Sequence, residues 1–172
     1  MLSVDKKFLF IHVPKTGGNS IQNILKNYSE DQIVIHGNHQ DGIERFEVRN
    51  KKYEVTKHST LAHYQRILEP QLYRKLFKFS TIRNPYDQMI SWYFSPHRGI
   101  TQWVREDFIR LVEETPKLRE YIKLPKTPFL KNTISRLGFP FNLNYSKLDG
   151  DINFLIRFEH LDEDFKKSLS DS

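Results

Sequence analysis

Two runs of consecutive apolar and β-branched residues stand out from an otherwise mixed chain. Phe8-Leu9-Phe10-Ile11-His12-Val13 and Phe77-Lys78-Phe79-Ser80-Thr81-Ile82 have the length and composition of strands buried on both faces. Pro14 closes the first, because proline has no N–H to give to a central ladder. Past a loop at 15–20, Ile21, Ile24, Leu25 and Tyr28 recur at i, i+3, i+4 and i+7, which predicts a helix with one apolar face. After the second run, Asn84 and Pro85 read as N-cap and first helical residue of a helix reaching about Phe94. Strand, loop and helix therefore occur twice in the same order.

The remaining pattern is weaker. Residues 29–57 are polar, with Gly37, Gly42 and Asn50 as turn markers, and the alternating stretches Phe46-Glu47-Val48-Arg49 and Tyr53-Glu54-Val55-Thr56 read either as a paired hairpin or as irregular excursions. Thr60 caps a predicted helix through Leu68, and Pro70 begins another through Phe77. Thr101 is the expected cap of a helix with Val104, Phe108, Leu111 and Val112 as its apolar stripe, stopped by Pro116. Thr127-Pro128 opens a further helix that Gly138 ends. Asn153 to Phe158 reads as a last strand, with a short helix from Leu161. Strands alternating with helices imply an α/β fold with a largely parallel sheet. No repeat, low-complexity tract or Gly/Ser linker divides the 172 residues, so a single domain is expected over 1–172.

Composition narrows the chemistry. The chain has no cysteine, which excludes a disulfide scaffold, Cys-ligated metal sites and a thiol nucleophile. Hydrophobic residues make up 38%, enough for a real core. No apolar run approaches the roughly 20 residues that span a bilayer. The net charge of +6 points to anionic partners without choosing among nucleic acid, phosphorylated small molecules and acidic glycans.

The two strand–loop–helix units choose better. In Pro14-Lys15-Thr16-Gly17-Gly18-Asn19-Ser20, unpaired N–H groups at a helix N-terminus and the helix dipole favour an anion. Gly17 and Gly18 allow close backbone approach, Thr16, Asn19 and Ser20 add donors, and Lys15 adds charge. The order differs from a Walker A loop, which carries its lysine after the glycines. In Arg83-Asn84-Pro85-Tyr86-Asp87, Arg83 sits at the C-terminal end of a strand, where open α/β sheets bind ligands. Ser91 follows about two helical turns on, within reach of a shared phosphate.

Together these loops resemble the PAPS-dependent sulfotransferases, most closely their carbohydrate (Golgi-type and bacterial) branch. The first is similar to the family's 5′-phosphosulfate loop, and the second, with Ser91, to its 3′-phosphate motif. Lys57-His58-Ser59-Thr60 and Ile156-Arg157-Phe158-Glu159-His160-Leu161 fit the same branch, so the resemblance runs over about residues 8 to 165. It implies a P-loop-like three-layer sandwich with helices flanking a mostly parallel sheet. It also implies a donor, 3′-phosphoadenosine 5′-phosphosulfate, an acceptor hydroxyl on a carbohydrate, and no metal. Lys15 would stabilise the departing phosphate. Thr16, Gly17, Gly18, Asn19 and Ser20 would hold the 5′-phosphate, and Arg83 and Ser91 the 3′-phosphate. His58 falls where the branch often carries its catalytic base. Sulfuryl transfer needs positioning and charge stabilisation above all, as phosphoryl transfer does. A base such as histidine helps by taking the acceptor's proton.

Of the seven histidines, His12 reads as a packed strand residue, His63 as the reserve base, His97 as lining for the acceptor cleft and His160 as part of the last helix start. His36 and His39 have the spacing of a metal pair but only Asp41 beside them, so a metal site is not expected. Trp92, Tyr93, Phe94 and Trp103, near Arg98 and Arg105, read as core plus surface before they read as a sugar-stacking wall. Lys117, Arg119, Lys123, Lys126 and Lys131 read as a solvated basic face. The family usually continues for tens of residues past the Arg-Phe-Glu stretch. This chain is therefore either shortened or a minimal member, and in the complete case a cytoplasmic location is expected. Two alternatives remain at this point: a non-catalytic nucleotide- or polyanion-binding relative, and a P-loop-type nucleotide kinase. Nucleic acid is not an expected partner, since it rests on net charge alone.

Overall fold

The computed structural model describes residues 1–35, 46–116, 118–123 and 151–170. Its centre is a four-stranded sheet of order β1-β2-β5-β6, formed by β1 (Leu2–Ser3), β2 (Phe8–Ile11), β5 (Phe77–Ile82) and β6 (Phe154–Arg157). β2, β5 and β6 run parallel, and β1 is an antiparallel edge. β3 (Gln32–Ile35) and β4 (Phe46–Arg49) form a separate antiparallel pair. The helices are α1 (Gly18–Leu25), α2 (Leu61–Ile67), α3 (Pro70–Lys75), α4 (Pro85–Tyr93), α5 (Arg105–Glu114), α6 (Leu118–Ile122) and α7 (Leu161–Ser170). The result is the expected α/β architecture, a mostly parallel sheet flanked by helices.

The core follows from the strand composition. Leu9, Phe10 and Ile11 of β2 and Ile156 of β6 have no exposed surface, and the β5 side chains from Lys78 to Ile82 are buried. Phe10 packs against Phe79 with ring centroids 5.2 Å apart. The register sets Ile11 opposite Ser80 and Ile82 opposite Arg157. The C-terminal ends of β2, β5 and β6 therefore share one edge of the sheet, and the segments after them, 12–17, 83–84 and 158–160, meet there.

Several local expectations need correction. In α1 the buried face is Gly18, Ile21, Gln22 and Leu25, while Ile24 and Tyr28 are exposed. Phe46–Arg49 pairs with Gln32–Ile35 and not with residues 53–56. Gln32-Ile33-Val34-Ile35 carries three β-branched residues, and its partner strand faces it Ile33 to Val48. Thr101 does not cap α5. The helix begins four residues later, with Val104 as N-cap, and of the expected stripe only Leu111 is fully buried. The aromatic cluster explains this shift: Tyr93 Oη accepts from Val104 N and the Trp103 ring lies 4.4 Å from Phe108, which holds 101–104 out of the helix. The Thr60 and Asn84 caps are as expected, accepting from His63 N and Tyr86 N. The expected helix at 127–138, together with His36, His39, Asp41, Lys117, Lys126 and Lys131, lies outside the described residues.

Candidate active site

The loop between β2 and α1 is held by its carbonyls. Thr16 Oγ1 donates to Val13 O at 2.7 Å, Gln88 Nε2 to Pro14 O at 2.8 Å and Arg83 Nη1 to Lys15 O at 3.4 Å. Three successive carbonyls are thus drawn to side-chain donors, two of them from the second strand–loop–helix unit. Lys15 and Gly17 have left-handed backbones, φ +64° and +82°. For a lysine this is a strained conformation that the surrounding bonds must maintain. Gly17 caps α1 without any side-chain bond, and Ser20 N, in the first turn, donates to Gly17 O at 3.1 Å.

Neither glycine is replaceable. A Cβ at Gly18 would lie 2.1 Å from His12 Cδ2, and one at Gly17 would lie 2.8 Å from Phe158 Cδ2. The first loop is thus wedged between the His12 ring and the Phe158 ring. The Thr16 hydroxyl faces inward onto Val13 O and Thr81 Oγ1. Asn19 is partly exposed and Ser20 exposed, both in the first turn of α1.

Lys15 Nζ donates to Ser95 Oγ at 3.1 Å, and Ser95 in turn lies 3.0 Å from His97 Nδ1. Since the ammonium only donates, the Ser95 proton is free to point to His97. His97 is therefore tied to Lys15 through a buried serine. Burial, opposed by Glu47 and helped by the nearby Lys15 charge, holds the Lys57 amine below the usual lysine range.

Arg83 leaves β5 toward the same edge. Its guanidinium lies over the Phe158 ring, 4.2 Å from the centroid, and its Nε is buried without a hydrogen-bond partner among the described residues. Asn84 N donates to Glu159 Oε1 at 2.7 Å. Ser91 is partly buried on α4, and no hydrogen bond joins it to Arg83 among the described residues. Arg157 is clamped to Asp164 by three bonds of 2.8–2.9 Å from its N, Nε and Nη2. Those bonds, led by the side-chain pair, pull the Asp164 carboxyl below the usual range.

His58 sits beside the first loop. Its Nδ1 lies 3.2 Å from His12 O and its ring 4.5 Å from the His12 ring. A carbonyl can only accept, so Nδ1 carries the proton and the neutral ring presents Nε2 as its lone pair. Burial chiefly, with some help from Lys57, lowers the His58 pKa against the opposing His12 carbonyl, which keeps the ring neutral at pH 7. His58 lines an open depression of about 880 Å³ with Glu54, Thr60, His63 and Arg66. His63 is different: Nε2 donates to Glu54 O at 2.6 Å and Nδ1 accepts from Arg66 at 3.0 Å, so neither nitrogen is free to take a proton. His12 is 4% exposed, its pKa pushed well down by burial and then by His58. Gln22 approaches it, but short of hydrogen-bond geometry, and His12 Nδ1 and both Gln22 amide atoms stay unpaired among the described residues.

Sequence reasoning missed Ser95, Thr81, Gln88 and Phe158. The first three carry no motif; their roles come from long-range packing. Phe158 lay inside a quoted motif but without a role. Among the described residues no group of His, Asp or Glu is placed to hold a metal ion. No described helix is long and apolar enough to cross a membrane.

The fold is α/β, with a lysine-bearing glycine loop on a helix N-terminus beside an arginine at the end of the neighbouring strand. More specifically, the chain belongs to the sulfotransferase family, whose sequence model matches residues 1–169. No curated protein and no solved structure matches it. Membership supports sulfuryl transfer in general, with a sulfate donor and a hydroxyl acceptor implied by the family.

Proposed function

We propose that the protein transfers a sulfuryl group from 3′-phosphoadenosine 5′-phosphosulfate to a carbohydrate hydroxyl. One observation carries this reading: Arg83 reaches from the end of β5 to Lys15 O, so two anion-receiving loops far apart in sequence adjoin at one sheet edge. A donor with phosphates at the 3′ and 5′ positions of one ribose suits two such adjoining loops. The unpartnered Arg83 Nε is a buried donor in need of an acceptor, and no side chain caps the N-terminus of α1.

The donor supplies an activated sulfate whose leaving group is a phosphate. Backbone N–H groups of Thr16, Gly17, Gly18 and Asn19, with the Ser20 hydroxyl, bind the 5′-phosphate. Arg83 and Ser91 bind the 3′-phosphate. Lys15 leaves Ser95 to meet the charge growing on the leaving oxygen, a contact that strengthens only as the bond breaks. His58 Nε2 takes the acceptor proton, while the His12 carbonyl fixes its tautomer. Because the acceptor approaches through the depression that His58 lines, its Thr, Glu and Arg rim suits a polar, hydroxyl-rich molecule.

The test is transfer itself. Incubation with the donor and a panel of saccharides gives the desulfated nucleotide 3′-phosphoadenosine 5′-phosphate (PAP) and a sulfate ester in equal amounts. Lys15→Ala lowers the rate about 10²–10³-fold, as loss of one oxyanion-stabilising group does. Transfer undiminished in Lys15→Ala, or phosphoryl transfer from ATP–Mg²⁺ instead, contradicts the reading.

A further inference from the structure

We propose that Phe158 is a positioning residue for donor recognition: its ring holds the Arg83 guanidinium in place beside the first loop, so that the 3′-phosphate is read. The polar contacts of Arg83 cannot do this alone. Its bond to Lys15 O is long, at 3.4 Å, and its Nε has no partner among the described residues. The Phe158 ring centroid, 4.2 Å from Arg83 Cζ, is the contact that holds the guanidinium.

The same ring touches the other loop. A Cβ at Gly17 would fall 2.8 Å from Phe158 Cδ2 and 3.1 Å from Cε2, so the edge of the ring already rests on the Gly17 backbone. Phe158 thus lies between the two anion loops and sets their separation. Its own position is fixed on both sides. Arg157 is locked to Asp164 of α7, and Glu159 accepts from Asn84 N, the residue after Arg83. A third segment of the chain, 157–159, therefore joins the loops that the sequence motifs mark.

This inference rests on the reading of Arg83 as the 3′-phosphate contact. It is tested by calorimetric titration of the full chain with PAP and with adenosine 5′-phosphate, which lacks the 3′-phosphate. Phe158→Leu weakens PAP binding about 3–30-fold, the range of a cation–π contact from exposed to desolvated, and changes adenosine 5′-phosphate binding less than about 2-fold. Phe158→Tyr, which keeps the π face, binds both as the wild type does. In an Arg83→Ala background, Phe158→Leu weakens PAP no further. Should Phe158→Leu not fold, Phe158→Met removes the π face with less loss of volume and is read the same way. Equal weakening of both nucleotides, or a full further loss on top of Arg83→Ala, overturns the role of Phe158 while the wild type still prefers PAP. A wild type with no preference for PAP overturns the Arg83 reading and this inference with it.

Discussion

His58 owes its capacity as a base to a neighbour's backbone. The His12 carbonyl selects the tautomer that leaves Nε2 free, and burial keeps the ring unprotonated. The consequence for pH has a definite sign. A histidine with lowered pKa is neutral at pH 7 and gains its proton only below its ordinary value of 6.5. Turnover should therefore be flat through neutral pH and fall on acidification, with an inflection below 6.5. His58→Gln should lower kcat about 10²–10⁴-fold and remove that inflection, while PAP affinity stays within about 2-fold. An inflection above 6.5, or unchanged kcat, would clear His58 of the role. His58 and Lys15 were visible in the sequence because each sits in a motif. The reason His63 is unsuitable was not, because both its partners, Glu54 O and Arg66, depend on how α2 folds back on the preceding loop. Ser95 was hidden for the same reason: nothing local to Ser95-Pro96 says that Lys15 will reach it from 80 residues away.

At the scale of elements, strand–loop–helix units are legible where composition is extreme. β2 and β5 are nearly continuous apolar runs, and the Thr60 and Asn84 caps have one local partner each, so local sequence suffices. Pairing is not local, which is why the sequence leaves Phe46–Arg49 open between a hairpin with 53–56 and an irregular excursion, while the strand pairs with Gln32–Ile35. Nor is the face of α1. Its apolar stripe was read as Ile21, Ile24, Leu25 and Tyr28, yet the buried face turns toward Gly18 and Gln22 because the His12 ring packs there. Gly18 therefore has a packing role besides its role near a ligand. Gly18→Ala should cost about 1–3 kcal/mol of stability, as overpacking does, measured by denaturant unfolding, and should abolish PAP binding. A variant as stable as the wild type would show that the His12 ring moves aside freely.

At the scale of the molecule, register does what no motif can. Parallel pairing of β2 with β5 and of β5 with β6 brings residues 12–17, 83–84 and 158–160 to one edge, so three segments spread over most of the chain form a single site. The resemblance in the sequence marked the first two and left the third without a function. The net charge of +6 gains meaning here too: Lys15 and Arg83 gather at that edge, and the nearby Lys15 charge adds to the burial that lowers the Lys57 amine. The most direct test of a two-loop donor site is a calorimetric titration of the protein with PAP. One site should be found, its affinity reduced at least about 10-fold by either Lys15→Ala or Arg83→Ala, as expected for loss of a charge-assisted contact, and ATP–Mg²⁺ should not displace the ligand. Unaltered PAP affinity in both variants, or ATP–Mg²⁺ binding as tightly as PAP, would contradict it.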